Sequence, residues 1–382
     1  MNHFESIYIR GYRRLLDVKL IMRPLTVLIG ANGSGKTSLL EAWSLLAASS
    51  QSQLATRISE LGGLVDIITR DKASDIAFDL SMNMPGHAPL EYHFQIEPAR
   101  QFYRIAQESL VQRNRPGNPE PFKHIESHDL DVKYYNVETR ALLRPNWEHN
   151  PLETSLSQVP KMFQGPELLR SRLASSTFYG PLNVAPRAPV RLPQKLTPAK
   201  LPGINGEELI SCLYYLRETD RDRFEVLEDS LKAAFPDFER LDFPPVAAGV
   251  VSMTWKDKNY SSPMYTHQLS EGTLRFLWLV ALLQSRELTA ITLIDEPEVS
   301  LHPELLSLLA ELMREASART QLIVATHSDR LIRFLKPKEV LVVDVVDGVT
   351  KLTWADTINL DAWLVDYALD DIWRMALIGG RP

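Results

Sequence analysis

One run of residues in this chain could hold a phosphate. Gly30-Ala31-Asn32-Gly33-Ser34-Gly35-Lys36-Thr37-Ser38 fits the G-x-x-x-x-G-K-[ST] spacing of a phosphate-binding loop. Glycines let the backbone curl so that successive N–H groups face phosphate oxygens. Lys36 would reach the β- and γ-phosphates as a point charge, and the Thr37 hydroxyl would ligate Mg²⁺. Three further groups complete a reaction. Asp295, at the end of the apolar run Thr292-Leu293-Ile294, would hold Mg²⁺ directly or through water, and Glu296 would polarise an attacking water as general base. His327 follows the next apolar run, Leu322–Ala325, and can hydrogen-bond a γ-phosphate and so sense its presence. Ser270, Glu271 and Gly272 stand 25 residues ahead of Asp295; Ser270 can cap a helix, and Gly272 permits close approach to a phosphate.

These groups need rigid supports, and the surrounding pattern supplies them. Thr26–Ile29 reads as a buried strand feeding a helix that runs from Thr37 to about Ala47, with its positive end toward the phosphate loop. Pro297 closes the acidic strand, and Leu274–Leu283 reads as the helix capped by Ser270. Around this frame, Ile7–Ile9 and Val18–Leu20 are short strands. Ile76–Met82, Leu90–Ile96, Phe102–Ile105 and Val132–Tyr135 alternate as an antiparallel meander, with Arg113–Pro119 as an exposed loop. Residues 145–205 are proline-rich. Pro181, Pro186, Pro189 and Pro193 forbid a regular helix or central strand there, and Arg187, Arg191, Lys195 and Lys200 read as solvated charges or, alternatively, as a phosphate contact. Glu207–Leu216 and Asp222–Phe235 are amphipathic helices, the second with Asp220 as N-cap. Val250–Trp255 is a strand, and Asp347-Gly348 turns a hairpin. Arg10, Arg13 and Arg14 read first as a solvated edge and second as a nucleotide or nucleic-acid contact.

Composition narrows the class. The chain has 382 residues, of which 45% are hydrophobic and 24% charged, and a formal net charge of −6. That is an ordinary globular mix, and a nucleic-acid contact would need a local basic patch. The single cysteine, Cys212, leaves no internal disulfide and fits a reducing cytoplasm. No secretory pattern opens the chain and no apolar run is long enough to span a bilayer, so a cytoplasmic protein without membrane contact is expected.

Taken as a set, G-A-N-G-S-G-K-T, L-S-E-G-T, L-I-D-E-P-E-V-S-L-H-P and A-T-H-S resemble the ABC-type ATPase heads of the SMC, RecF and OLD group, nearest to its compact, stand-alone bacterial AAA members. The run from Asp371 to Pro382 resembles their usual ending. The resemblance implies that Gly30–Ser38 is Walker A, that Asp295 and Glu296 are Walker B, and that Ser270, Glu271 and Gly272 form the ABC signature. It places Ser300, Leu301 and His302 at the D-loop and makes His327 the switch histidine. Glu271 stands where transporters carry glycine, as is usual in the compact branch. A Q-loop glutamine is implied too, with Gln51, Gln53, Gln95 and Gln107 as candidates.

The resemblance implies a head-to-head homodimer in which each signature serves the partner's ATP. The fold expected is α/β: a P-loop ATPase head with an N-terminal antiparallel β lobe and an inserted mixed lid. Its parts would be residues 1–145 (β lobe with P-loop and helix), 146–264 (proline-rich and helical insertion) and 265–382 (signature, acidic strand, switch histidine and terminal helix). The expected activity is ATP hydrolysis with Mg²⁺, signalling nucleotide state to DNA or to a separately encoded effector such as a nuclease or toxin, in phage defence or DNA-damage handling. Two other readings are a nucleotide-gated scaffold with little turnover and a RecF-like DNA-binding repair ATPase. No heptad run long enough for a coiled-coil arm is present, and the 55 residues after His327 are too few for the TOPRIM nuclease that OLD-type proteins add.

Overall fold

The computed structural model describes residues 2–100, 102–113, 120–360, 363 and 365–379. Residues 114–119 of the expected exposed loop and residues 380–382 of the terminal run lie outside the described residues.

A six-stranded sheet forms the centre, in the order Ser176–Tyr179, Ile291–Asp295, Gln321–Ala325, Leu25–Ile29, Val340–Val346 and Val349–Trp354. The first five run parallel, and the last returns antiparallel through the Asp347-Gly348 hairpin. Alternate residues feed two cores. Val27, Ile294, Leu322, Val324 and Val342 face one, while Leu28, Leu293, Ile323, Ala325 and Val343 face the other. Both faces are covered, which is why these strands read as continuous apolar runs.

On one face lies the helix Lys36–Ser50, buried along most of its length through Leu39, Leu40, Trp43 and Leu46. Its far side meets the antiparallel sheet, where Phe4 packs edge-on against Trp43 at 5.3 Å. That sheet has eight strands, in the order Leu15–Ile21, His3–Tyr12, Ile76–Asn83, Leu90–Pro98, Tyr103–Gln112, Phe122–His128, Asp131–Asn136 and Ala141–Leu143. The meander is as expected, with two added strands, Phe122–His128 and Ala141–Leu143. Tyr103–Gln112 runs far past Ile105, where a bulge shifts the register against Gln95 and Ile96. The bulge flips the in–out alternation that the sequence reading follows.

The opposite face carries the helices Leu209–Thr219, Arg221–Ala234, Glu271–Gln284, Leu305–Ala316 and Leu369–Arg374. The Asp220 side chain accepts from the Arg223 N–H at 3.4 Å, the expected N-cap. Cys212 is buried and unpaired. The stretch expected as one strand, Val250–Trp255, divides: Val250–Val251 joins one three-stranded sheet and Thr254–Asp257 another. No helix among the described residues is long and apolar enough to cross a membrane.

Candidate nucleotide site

Parallel strands of an open α/β sheet place ligands at their carboxyl ends. Here Leu25–Ile29, Ile291–Asp295 and Gln321–Ala325 lie side by side, with Ala325 opposite both Leu28 and Asp295. The phosphate loop, the acidic pair and His327 therefore emerge at one edge, although they are nearly three hundred residues apart in sequence.

The loop is braced from the next strands. A Cβ on Gly30 would sit 2.1 Å from the Val343 carbonyl, and φ at Gly30 is +153°, so the turn there requires glycine. The Thr350 hydroxyl donates to the Ser34 carbonyl at 2.7 Å, and the Thr350 N–H donates to the Arg14 carbonyl at 3.3 Å. Arg13 pairs with Glu41 of the loop's helix at 2.8 Å. The Arg13-Arg14 turn is thus a brace for the loop, whereas Arg10 pairs with Asp79 on the outer sheet face as a solvated edge would.

Lys36 is buried. Its Nζ donates to the carbonyls of Gly30 at 2.5 Å and Ala31 at 3.0 Å, and lies 3.5 Å from His327 Nδ1. Burial pulls its pKa down to about 8, against the pull of Asp295, Glu296 and Glu298. Ser34 Oγ is buried without a partner among the described residues. Asn32, Gly33 and Thr37 are exposed, and Ser38 is half-buried. An open glycine-rich turn over an orphaned hydroxyl and a buried ammonium is a fitting cradle for an anion.

Asp295 sits half-buried at its strand end. Burial, with Glu296 and Glu298 adding like charge, pushes its carboxyl up to about 6. No group of three or more His, Cys, Asp or Glu among the described residues is placed to hold a metal ion by itself, so Mg²⁺ here would take Asp295 and Thr37 as hard oxygen donors and complete its shell with water and phosphate oxygens. Glu296 holds a left-handed backbone, φ +49°, with its N–H on the Ala325 carbonyl at 2.8 Å. That conformation is strained for glutamate and re-aims the side chain after the strand. Its Oε1 is 3.8 Å from His327 Nε2. Burial and Lys36 hold the His327 pKa below the ordinary histidine value, with Glu296 opposing.

Glu298 was not singled out by residue type or spacing. It is half-buried, and its Oε1 accepts from the Thr326 hydroxyl at 2.5 Å and from the His327 N–H at 3.2 Å. It fixes the turn that carries His327. The only signal was a third acid two positions past Glu296.

Ser270 caps the helix Glu271–Gln284, accepting from the Thr273 N–H at 3.1 Å. A Cβ on Gly272 would meet the Ser300 carbonyl at 2.6 Å, so Gly272 and Ser300 touch within one chain. Ser300 has φ +63°. Ser270, Glu271 and His302 are exposed, and Leu301 is half-buried.

The four candidate glutamines occupy different places in the fold. Gln51 follows the far end of the Lys36–Ser50 helix, about 22 Å from its start at 1.5 Å per residue, and donates to the Ala174 carbonyl. Gln53 begins the next helix. Gln95 donates to Asp75 within the antiparallel sheet, and Gln107 lies opposite Gln95. The turn after Ser176–Tyr179 reaches the carboxyl edge, where Gly180, Pro181 and Leu182 line a narrow cleft with Arg275, Asp295 and Glu296. That strand lay hidden in the proline-rich stretch.

A parallel sheet with these groups on one edge, joined through a buried helix to an antiparallel lobe, is the fold of an ABC-type P-loop ATPase head. Residues 25–333 match the family described as "AAA domain, putative AbiEii toxin, Type IV TA system", and the chain belongs to that family. No curated protein matches. Among solved structures, an Smc head bound to the C-winged helix domain of ScpA is similar at 14% identity with a TM-score of 0.56, over 92% of this chain and 97% of that one. An Smc head with an extended coiled coil, bound to the C-terminal domain of ScpA and derived from Pyrococcus furiosus, is similar at 12% identity with a TM-score of 0.53, over 92% and 96%. The protein is a compact AAA ATPase with the SMC-head fold.

Proposed function

We propose that this chain binds and hydrolyses ATP in composite sites formed by two copies, and that the nucleotide state is passed to a separately encoded effector in phage defence. The observation that carries the reading is the meeting of Lys36, Asp295, Glu296 and His327 at one sheet edge, while Ser270 and Glu271 stay exposed. Asn32–Ser38 cradle the phosphates, and Lys36 exchanges its hold on the Gly30 and Ala31 carbonyls for phosphate oxygens. Thr37 and Asp295 would hold Mg²⁺, which would supply positive charge to those oxygens. Glu296 takes the proton of the attacking water, and His327, held below the ordinary histidine pKa with Nδ1 toward Lys36, has one N–H at Nε2 to donate to the terminal phosphate. Ser270, Glu271 and Gly272 close over the partner's nucleotide.

The family's description as a putative toxin of a toxin–antitoxin system supports a defence role, and the two similar Smc heads are each bound to a ScpA domain, which supports a protein partner for this chain. Cytoplasmic location belongs to the same reading.

The test is the ATPase rate against chain concentration, for the parent and for Glu296→Gln, with mass followed in parallel. A rate per chain that climbs with concentration, and falls about 10²–10³-fold in the variant while ATP-loaded dimers accumulate, is expected. A concentration-independent rate at monomer mass would overturn the two-copy mechanism. Binding without turnover would favour a nucleotide-gated scaffold.

A further inference from the structure

Arg191 was read as a solvated charge or a phosphate contact, and it is neither. It stands half-buried at the end of a stiff segment. From Gly180 the chain carries Pro181, Pro186 and Pro189, buries Leu182, Val184, Ala188 and Val190, and closes local turns. Ala185 N–H donates to Asn183 Oδ1 at 3.0 Å, Ala188 N–H to the Ala185 carbonyl at 2.9 Å, and Arg191 N–H to the Ala188 carbonyl at 2.9 Å. Prolines leave such a segment few alternative shapes.

The two ends of the segment touch different machinery. At its start Pro181 and Leu182 line the cleft shared with Asp295 and Glu296. At its end Arg191 forks. Its Nε donates to the Val184 carbonyl at 2.7 Å, and its Nη1 donates to the carbonyls of Leu269 at 2.9 Å and His267 at 3.3 Å. Its own carbonyl accepts from the Thr266 hydroxyl at 3.0 Å. Leu269 is the residue before Ser270. We propose that Arg191 is a positioning residue that locks the Ser270–Gly272 turn to the Gly180–Arg191 strut, so that a change at one copy's acidic edge is delivered to the turn serving the other copy's nucleotide. The inference rests on the two-copy reading above.

The guanidinium reaches Val184 from Nε and Leu269 from Nη1, two nitrogens fixed in one plane, whereas a lysine would offer a single nitrogen on a flexible stem to both carbonyls. Arg191→Ala and Arg191→Lys are therefore expected to lower kcat about tenfold and weaken the dependence of rate on chain concentration. The Kd for ATP measured on Glu296→Gln backgrounds at low chain concentration should stay within about twofold, because the phosphate loop is untouched. Melting temperature is followed throughout; if Arg191→Ala loses its fold, Arg191→Lys decides. Full activity in a folded Arg191→Lys, or a loss of ATP affinity that matches the loss of rate, would overturn the clamp. Ser270→Arg is the control. If it abolishes turnover while Arg191→Lys does not, the clamp alone fails; if it leaves turnover intact, the two-copy reading fails.

Discussion

Two glutamates in two regions of the molecule, one buried and one half-buried, make the sharpest contrast. Glu108 lies fully inside the antiparallel lobe, and both its oxygens are satisfied: Oε1 accepts from the Tyr92 hydroxyl at 2.9 Å and the Leu156 N–H at 2.8 Å, and Oε2 accepts from the Ser155 N–H at 2.5 Å. Glu298 lies at the carboxyl edge of the parallel sheet. Its Oε2 is buried with no partner among the described residues, and Asp295 and Glu296 crowd it with like charge. Burial raises both pKa values. The lobe answers each buried charge with donors. The edge leaves charge uncompensated and stores strained backbone at Glu296 and Ser300. A buried carboxylate oxygen without a donor persists where a ligand can complete the structure, whereas the lobe leaves neither oxygen of Glu108 without one.

Removing Glu108 should break this contrast most severely. Glu108→Ala leaves two backbone N–H groups and a hydroxyl buried without an acceptor, so about 3 kcal/mol or more of stability is expected to go. Chemical denaturation measures it, while the rate per folded chain stays at the parent value. An effect on turnover with unchanged stability would mean that the lobe also takes part in chemistry.

The reverse pattern is expected at the edge. Glu298→Gln keeps an acceptor for Thr326 and His327 and removes one of three crowded charges. The melting temperature should rise by about 1 °C, corresponding to about 1 kcal/mol in a chain of this length. Turnover should drop several-fold, because the neutral amide weakens its hold on His327. Calorimetry and a steady-state assay read the two separately.

A pH series sharpens the comparison within the lobe. His124 Nε2 is buried without a partner among the described residues, and burial takes the ring's pKa to about 4. The unfolded chain holds a proton below about 6.5 and the folded chain does not. His124 therefore costs no stability above about pH 6.5 and costs progressively more as the pH falls toward 4. Melting temperature plotted against pH should lose part of its acid slope in His124→Phe. An unchanged slope would show that the ring is protonated in the folded lobe.

The smallest effect belongs to the outer sheet face. Arg104 bridges Glu97 at 2.7 Å and Asp129 at 2.9 Å; Arg104 and Asp129 are exposed and Glu97 is half-buried. Arg104→Ala should leave the melting temperature nearly unchanged, and added salt should erase what small effect there is.

Much of the candidate site could be read from residue types alone. Gly30–Thr37, Asp295-Glu296 and Thr326-His327 each end an apolar run, and that local pattern already says strand end, turn and charge. Glu298, Arg191 and Thr350 could not be read in the same way. Each acts on a backbone group far away in sequence, and no spacing rule marks a side chain whose partner is a distant carbonyl or N–H.

The sequence by itself determined which segments could be strands and helices, because hydrophobic periodicity, glycine and proline act within a few residues. It determined the phosphate loop as well, since the loop's chemistry is contiguous. Only the tertiary structure decided that Ser176–Tyr179 lies beside Ile291–Asp295, that the Arg13-Arg14 turn braces the phosphate loop, and that Arg191 ties the Ser270 turn to the strut. The reason is that parallel pairing joins strands over long separations, so register and neighbour order are settled by how two whole layers close over one buried helix.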